Sequence, residues 1–178
     1  LDNCRIGFLQ GLAEAGFVEG ENLTVDYQNA QTDMGLAAII SSAFVTSGMD
    51  LIAAIATPMA VTAVNTADGK IPVIYTAVSA PIEAGLAYSD RPFDGNATGT
   101  SAQIPVRDQL ALIRALQPQA KTIGLLYTVG EVNSQVPSAQ YREAAGEFGF
   151  QVAEATITNG ADTPLARPGL IAQADPPS

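Results

Sequence analysis

The sequence predicts an α/β fold in which parallel sheets are flanked by helices, arranged as two consecutive units. Three observations predict it. Short continuous apolar runs, such as Leu51–Ala56 and Thr122–Tyr127, are the pattern of strands covered on both faces, as in a parallel sheet. Between them lie segments with apolar residues at helical spacing. Strand and helix alternate along the chain, the order that builds a parallel sheet with helices on both faces.

Residues 2–16 place Ile6, Leu9, Leu12, Ala13 and Ala15 at helical spacing, with Gly16 as the stop. Leu23–Tyr27 alternates apolar and polar residues and reads as a strand. Asp33 caps a helix running to about Ser47, with Leu36, Ala37, Ile40, Phe44 and Val45 on its inner face; Gly48 ends it. Leu51–Ala56 is a buried strand, Pro58–Ala67 a helix and Pro72–Thr76 the next buried strand. A short helix is expected over Pro81–Leu86. The turn Phe93-Asp94-Gly95-Asn96 leads into a strand over Ala97–Ala102.

Pro105–Leu116 is amphipathic, with Leu110, Ile113 and Leu116 on one face. Pro118–Lys121 then marks a boundary, so the two units are expected at residues 1–118 and 119–178. In the second unit Thr122–Tyr127 is a strand, Ala139–Phe148 a helix ending at Gly149, and Phe150–Ala155 a strand. A last helix begins near Thr163.

Composition excludes several function classes. Hydrophobic residues make up 47% and charged residues 15%, enough apolar side chains for a real core. The net charge of −10 repels a polyanion, and no Lys/Arg cluster offsets it, so nucleic acid is not an expected partner. A single cysteine, Cys4, allows no internal disulfide and reads as a buried or half-buried thiol. With no histidine, most zinc sites, Ser-His-Asp triads and Cys-His dyads are removed. No DxDxDG calcium loop and no GxxxxGK[ST] phosphate loop occurs, and Gly7, Gly11 and Gly16 lie inside a helix pattern and not after a strand. No metal or cofactor is expected. Asn22-Leu23-Thr24 and Asn96-Ala97-Thr98 match the glycosylation sequon without further support. No apolar run approaches the roughly 20 residues of a membrane helix, and no signal peptide is visible. The abrupt ends, Leu1-Asp2-Asn3 and Asp175-Pro176-Pro177-Ser178, read as a piece of a longer chain.

In an open parallel sheet a ligand sits at the carboxyl ends of the strands. Three such ends carry similar chemistry: Ala56-Thr57-Pro58-Met59-Ala60, Tyr75-Thr76-Ala77-Val78-Ser79-Ala80-Pro81, and Tyr127-Thr128-Val129-Gly130-Glu131-Val132-Asn133-Ser134. Thr57 is placed as an N-cap with Pro58 at the first helical position, and the N–H groups that follow form an anion seat. A ligand carboxylate would meet them with the hydroxyls of Thr57 and of Thr76 or Ser79. Glu131 would accept from a ligand ammonium, with Asn133 and Ser134 adding donors or acceptors. Each feature also has a plainer reading: Thr-Pro as a cap, loop Ser and Thr as turn formers, a loop Glu as a solvated charge. The three ends together say more than any one.

The stretches LDNCRIGFLQGLAEAGFVEGENLTVDYQNAQTD, DLIAAIATPMA, IPVIYTAVSAP, GNATGTS and KTIGLLYTVGEVNSQ resemble the ABC-transporter substrate-binding proteins of the tryptophan/tyrosine-binding type, a branch of the type I periplasmic binding proteins. The likeness runs from Leu1 to about Asn159. It implies two Rossmann-like lobes, the second incomplete here, that close on a small amino acid-like ligand, aromatic in some members, and dock on an ABC permease. It implies an extracytoplasmic location and a first strand and ligand-facing loop ahead of Leu1. By position, Thr57, Pro58, Thr76, Ala77 and Ser79 would face the cleft from the first lobe, and Glu131, Asn133 and Ser134 from the second. The family often has Asp where this chain has Ala80 before Pro81, which leaves ligand identity open.

Two other classes stand beside this reading. A doubly wound enzyme needs a nucleophile and base at a strand end, which a chain without histidine or a GxSxG elbow does not offer. A ligand-sensing domain of a receptor or transcription regulator uses the same lobes, and the fold does not separate it from a transport role.

Overall fold

The computed structural model describes residues 1–88 and 96–158, with positions 163, 164, 166, 168 and 169 beyond them. The chain divides into two compact units, Leu1–Ala102 and Gln103–Ser178. The expected boundary at 118 is thus corrected to the stretch before the helix Val106–Leu116 (α4), which belongs to the second unit. The reason is packing: Val106 and Leu110 are buried with Ala144, Ala145 and Phe150.

The first unit opens with helix α1 (Asp2–Glu14), none of whose residues is buried. The strand expected at Leu23–Tyr27 does not form. Among the described residues its one ladder contact is an isolated bridge, Glu19 to Leu23. Alternation makes a strand only where a neighbour supplies the ladder. The preceding turn is instead tied by Asn22, whose Oδ1 accepts from Val18 N at 2.7 Å while Nδ2 donates to Gly16 O at 2.8 Å.

Helix α2 (Met34–Thr46) starts where Asp33 Oδ1 accepts from Leu36 N at 2.9 Å, as expected of the cap. Ala37 and Ser41 are buried, and Phe44 and Val45 pack against the core beside them. Leu36, one position off that stripe and so about 100° around the helix, is exposed.

Strands β1 (Ile52–Ile55), β2 (Val73–Val78) and β3 (Ala97–Ser101) form a parallel sheet in the order β1-β2-β3. Helix α3 (Thr57–Ala67) connects β1 to β2 and packs on both, and α2 packs on α3. Ala60, Ala63 and Ala67 form its buried stripe, and these small side chains meet Ile52, Val73, Tyr75 and Val78 in one core. The short helix expected over Pro81–Leu86 is a run of hydrogen-bonded turns: Leu86 N donates to Pro81 O at 2.8 Å and Gly85 N to Ile82 O at 2.9 Å. Three residues of the expected turn Phe93-Asp94-Gly95-Asn96 lie outside the described residues. Asn96 Nδ2 donates to Ile71 O, so both sequon asparagines are engaged by backbone carbonyls.

In the second unit β4 (Thr122–Thr128) and β5 (Gln151–Ile157) pair in parallel. Helix α5 (Val132–Ala144) runs between them and continues as a 3-10 turn, Ala145–Phe148, that stops at Gly149 in the left-handed conformation, φ 73°. The helix expected from Ala139 therefore begins earlier, with Pro137 inside it. Leu110 is 0% exposed and Ile113 packs beside it, as expected, but Leu116 is 68% exposed. A spacing of three residues falls about 60° behind the helical turn at each step, so Leu116 sits about 120° from Leu110. Arg114 takes the inner place. Its Nε and Nη2 donate to Phe148 O at 3.0 and 2.8 Å, and Nη1 donates to Ala120 O at 2.8 Å. Its guanidinium lies 3.9 Å from the Phe150 ring centroid. Of the expected last helix, Thr163, Pro164, Ala166, Pro168 and Gly169 are helical.

Two stability predictions follow from this packing. Leu110→Ala should cost about 3 kcal/mol in urea unfolding, and Leu116→Ala less than about 0.5 kcal/mol; equal losses would mean that the second core is drawn wrongly. Gly99→Ala should cost about 2 kcal/mol or more. A Cβ at Gly99 would meet the Tyr75 carbonyl oxygen and stand 2.5 and 2.6 Å from two of its ring carbons. An unchanged unfolding midpoint would remove that steric account.

Candidate functional site

The connection from β1 to α3 has a single residue, Ala56. Its N–H donates to Thr76 O at 3.0 Å, extending the ladder, while its carbonyl already accepts from Ala60 N at 3.0 Å. To serve sheet and helix at once it adopts φ 85° and ψ 152°, a region that only glycine enters without strain. Ala56 is thus the N-cap, and the sequence-based placement of Thr57 at that position is corrected. Thr57 is the first helical residue, with Pro58 next, and its side chain makes no capping bond. It is 4% exposed, and its Oγ1 has no hydrogen-bond partner in the protein.

The end of β2 lies beside this turn, because Ile55 and Thr76 are register partners. There the pairing with β3 slips between Tyr75 and Val78: Tyr75 faces Gly99 and Val78 faces Ser101, so β2 carries one residue more than β3. Ala77 absorbs the bulge at φ 56°. Thr76 Oγ1 and Thr100 Oγ1 lie 3.1 Å apart in a hydrogen bond. Ser79 Oγ, one residue past the strand, is buried without a partner. The structure therefore brings Thr57, Pro58, Thr76, Ala77 and Ser79 to the same ends of two adjacent parallel strands.

In the second unit the expected loop Glu131–Ser134 is the start of α5. Glu131 is the N-cap residue, and its backbone oxygen accepts from Ser134 N and Gln135 N, each at 3.0 Å. Asn133 and Ser134 lie in the first turn. Asn133 Nδ2 donates to Glu131 Oε2 at 3.1 Å, which fixes the amide beside the carboxylate, while Asn133 Oδ1 is buried without a partner. Ser134 O accepts from Ser138 Oγ at 2.8 Å.

Among the described residues, four side-chain atoms are buried and unpartnered: Thr57 Oγ1, Ser79 Oγ, Asn133 Oδ1 and Arg5 Nε. An orphaned buried polar group costs about 1–3 kcal/mol unless something outside the fold completes it. Three of the four belong to residues that the sequence marks by their place at strand ends. Sequence reasoning missed Arg5, whose guanidinium lies 4.9 Å from the Tyr27 ring centroid, and it missed the conformation of Ala56. Neither residue type in its position carries a signal. Among the described residues no group of His, Cys, Asp and Glu could hold a metal ion, and no helix is long and apolar enough to cross a membrane.

A family model described as ABC transporter substrate binding protein covers residues 1–175. A tyrosine-binding protein of Clostridioides difficile is 38% identical over 175 residues, 98% of this chain and 50% of that protein. The crystal structure of a conserved domain protein from Vibrio cholerae superposes at a TM-score of 0.92 with 34% identity, covering 98% of this chain and 58% of that one. An ABC domain from Streptococcus pneumonia in complex with L-Trp gives 0.89 and 31% identity, covering 95% and 57%. The chain spans about half the length of the curated relative it matches. With the family model matching nearly end to end and a relative at 38% identity across the same span, this chain belongs to the ABC transporter substrate binding proteins.

Proposed function

We propose that this chain is part of the extracytoplasmic binding component of an ABC importer, that it captures a small amino acid of the aromatic kind, and that it carries out no catalysis. The observation that supports this is the set of orphaned polar atoms at Thr57, Ser79 and Asn133. A ligand that completes their hydrogen bonds gains energy that the empty protein forgoes.

The chemistry of the groups favours a zwitterion. In the first unit, neutral hydroxyls and the N–H groups opening α3 would receive the ligand carboxylate, with Thr57, Thr76 and Ser79 as donors, Pro58 starting the helix and Ala77 turning the chain. In the second unit, the Glu131 carboxylate, steadied by Asn133, would accept from the ammonium, with Ser134 beside them. The relatives that bind tyrosine and L-Trp point to the aromatic members of that class. Delivery to a membrane permease, the role its family suggests, is part of the same proposal.

Titration calorimetry of the full-length protein with L-tyrosine and L-tryptophan should give a micromolar or tighter Kd for at least one. Thr57→Val and Ser79→Ala should each weaken it about fivefold, as one hydrogen bond of about 1 kcal/mol implies. Glu131→Gln should weaken it about tenfold or more, since a charged partner is lost. If none of the twenty amino acids binds, the reading is wrong in kind; if one binds and these variants match the parent, the assigned residues are wrong.

A further inference from the structure

We propose that Ala56 and Ala77 are positioning residues, whose strained backbones hold the Thr57 and Ser79 hydroxyls where a ligand, and not the protein, completes their hydrogen bonds. The inference rests on the ligand-capturing reading above and adds to it a positioning role for two residues with no polar side chain.

Both alanines have positive φ, 85° at Ala56 and 56° at Ala77. Both sit at the carboxyl ends of adjacent strands in one parallel sheet, and a buried, unpartnered hydroxyl follows each, one residue on at Thr57 and two residues on at Ser79. Thr57, following Ala56 directly, is more than nine-tenths buried. Strain of this kind persists only where the surroundings over-determine it. Here they do. Ala56 is pinned by Thr76 O on one side and Ala60 N on the other, each at 3.0 Å. Ala77 is held in the bulge between the pairs Tyr75–Gly99 and Val78–Ser101, and Val78 O accepts from Ala102 N at 2.8 Å. Val78 itself is fully buried, so the bulge cannot slide along the strand.

A side chain in a relaxed turn at either place would be free to seek a partner within the fold. A hydroxyl tethered to a pinned residue is not. Glycine would relieve the strain at both positions and at the same time loosen the tether, so stability and ligand affinity should move in opposite directions. A purely structural role would move them together.

The test uses the full-length protein with Ala56→Gly, Ala77→Gly and the double variant, melted without ligand and titrated with L-tyrosine and L-tryptophan. Each single variant should raise the ligand-free Tm by about 2–4 °C while weakening amino acid binding about threefold to tenfold. A Tm that falls or stays fixed overturns the inference even if the ligand binds, because the alanines are then unstrained. A raised Tm with unchanged affinity also overturns it, because the strain then positions nothing. If the parent protein binds no amino acid at all, the binding reading and this inference fall together.

Discussion

The site end of the first unit depends on one constraint: β1 must become α3 across a single residue. The parallel register that pairs Ile55 with Thr76 places Ala56 N–H against Thr76 O, and the first helical hydrogen bond claims Ala56 O at once. No loop intervenes to relax the backbone or to fold a side chain back on the helix start. That leaves the opening of α3 without a side-chain cap, although threonine, a good capping residue, stands next to it. The N–H groups of the first turn and the Thr57 hydroxyl therefore remain available together. The same register brings the β2 bulge alongside, so the chemistry of two chain segments converges through backbone pairing alone.

The second unit reaches a comparable result by a different device. Among the described residues its sheet has two strands, and Arg114 does much of the work of joining α4 to the turn before β5. One guanidinium bonds carbonyl oxygens of Phe148, Ala120, Pro118 and Gly149, and stacks on the Phe150 ring. A planar, permanently charged group with five donors can do this; lysine could not. The clamp fixes both ends of the segment containing β4 and α5, because Ala120 precedes β4 and Phe148 closes the 3-10 turn after α5. Glu131 and Asn133 lie within that segment.

What was legible in the sequence follows from what each signal physically encodes. Continuous apolar runs made β1, β2 and β4 readable as strands, although no residue of β4 is buried. Hydroxyls and a carboxylate clustered at strand ends pointed to Thr57, Ser79, Glu131 and Asn133, and the structure leaves a buried orphan atom on three of these. Amphipathicity, by contrast, says that α4 buries a face but not in which unit, and the boundary was misplaced for that reason. The helix expected from Ala139 starts at Val132, with Pro137 in its second turn, a position that proline generally disfavours. Leu23–Tyr27 has the right alternation and no neighbour to pair with. The strained alanines were invisible because positive φ is announced in sequence by glycine, and here alanine occupies both places.

On the binding reading, the neutrality of the first unit's groups matters as much as their position. The chain carries a net charge of −10, which disfavours any ligand that is negative overall. A purely cationic ligand would satisfy Glu131 but leave the N–H groups opening α3 and the two hydroxyls unmatched. A zwitterion would offer its carboxylate to the first set and its ammonium to Glu131. Discrimination then comes chiefly from the penalty on the wrong ligand: a site built to hydrogen-bond rejects an analogue lacking the group far more strongly than an apolar pocket rejects a missing methylene. Strain at Ala56 and Ala77 would sharpen that penalty. A Thr57 or Ser79 hydroxyl that cannot turn to the protein for a partner has none when the ligand fails to provide one.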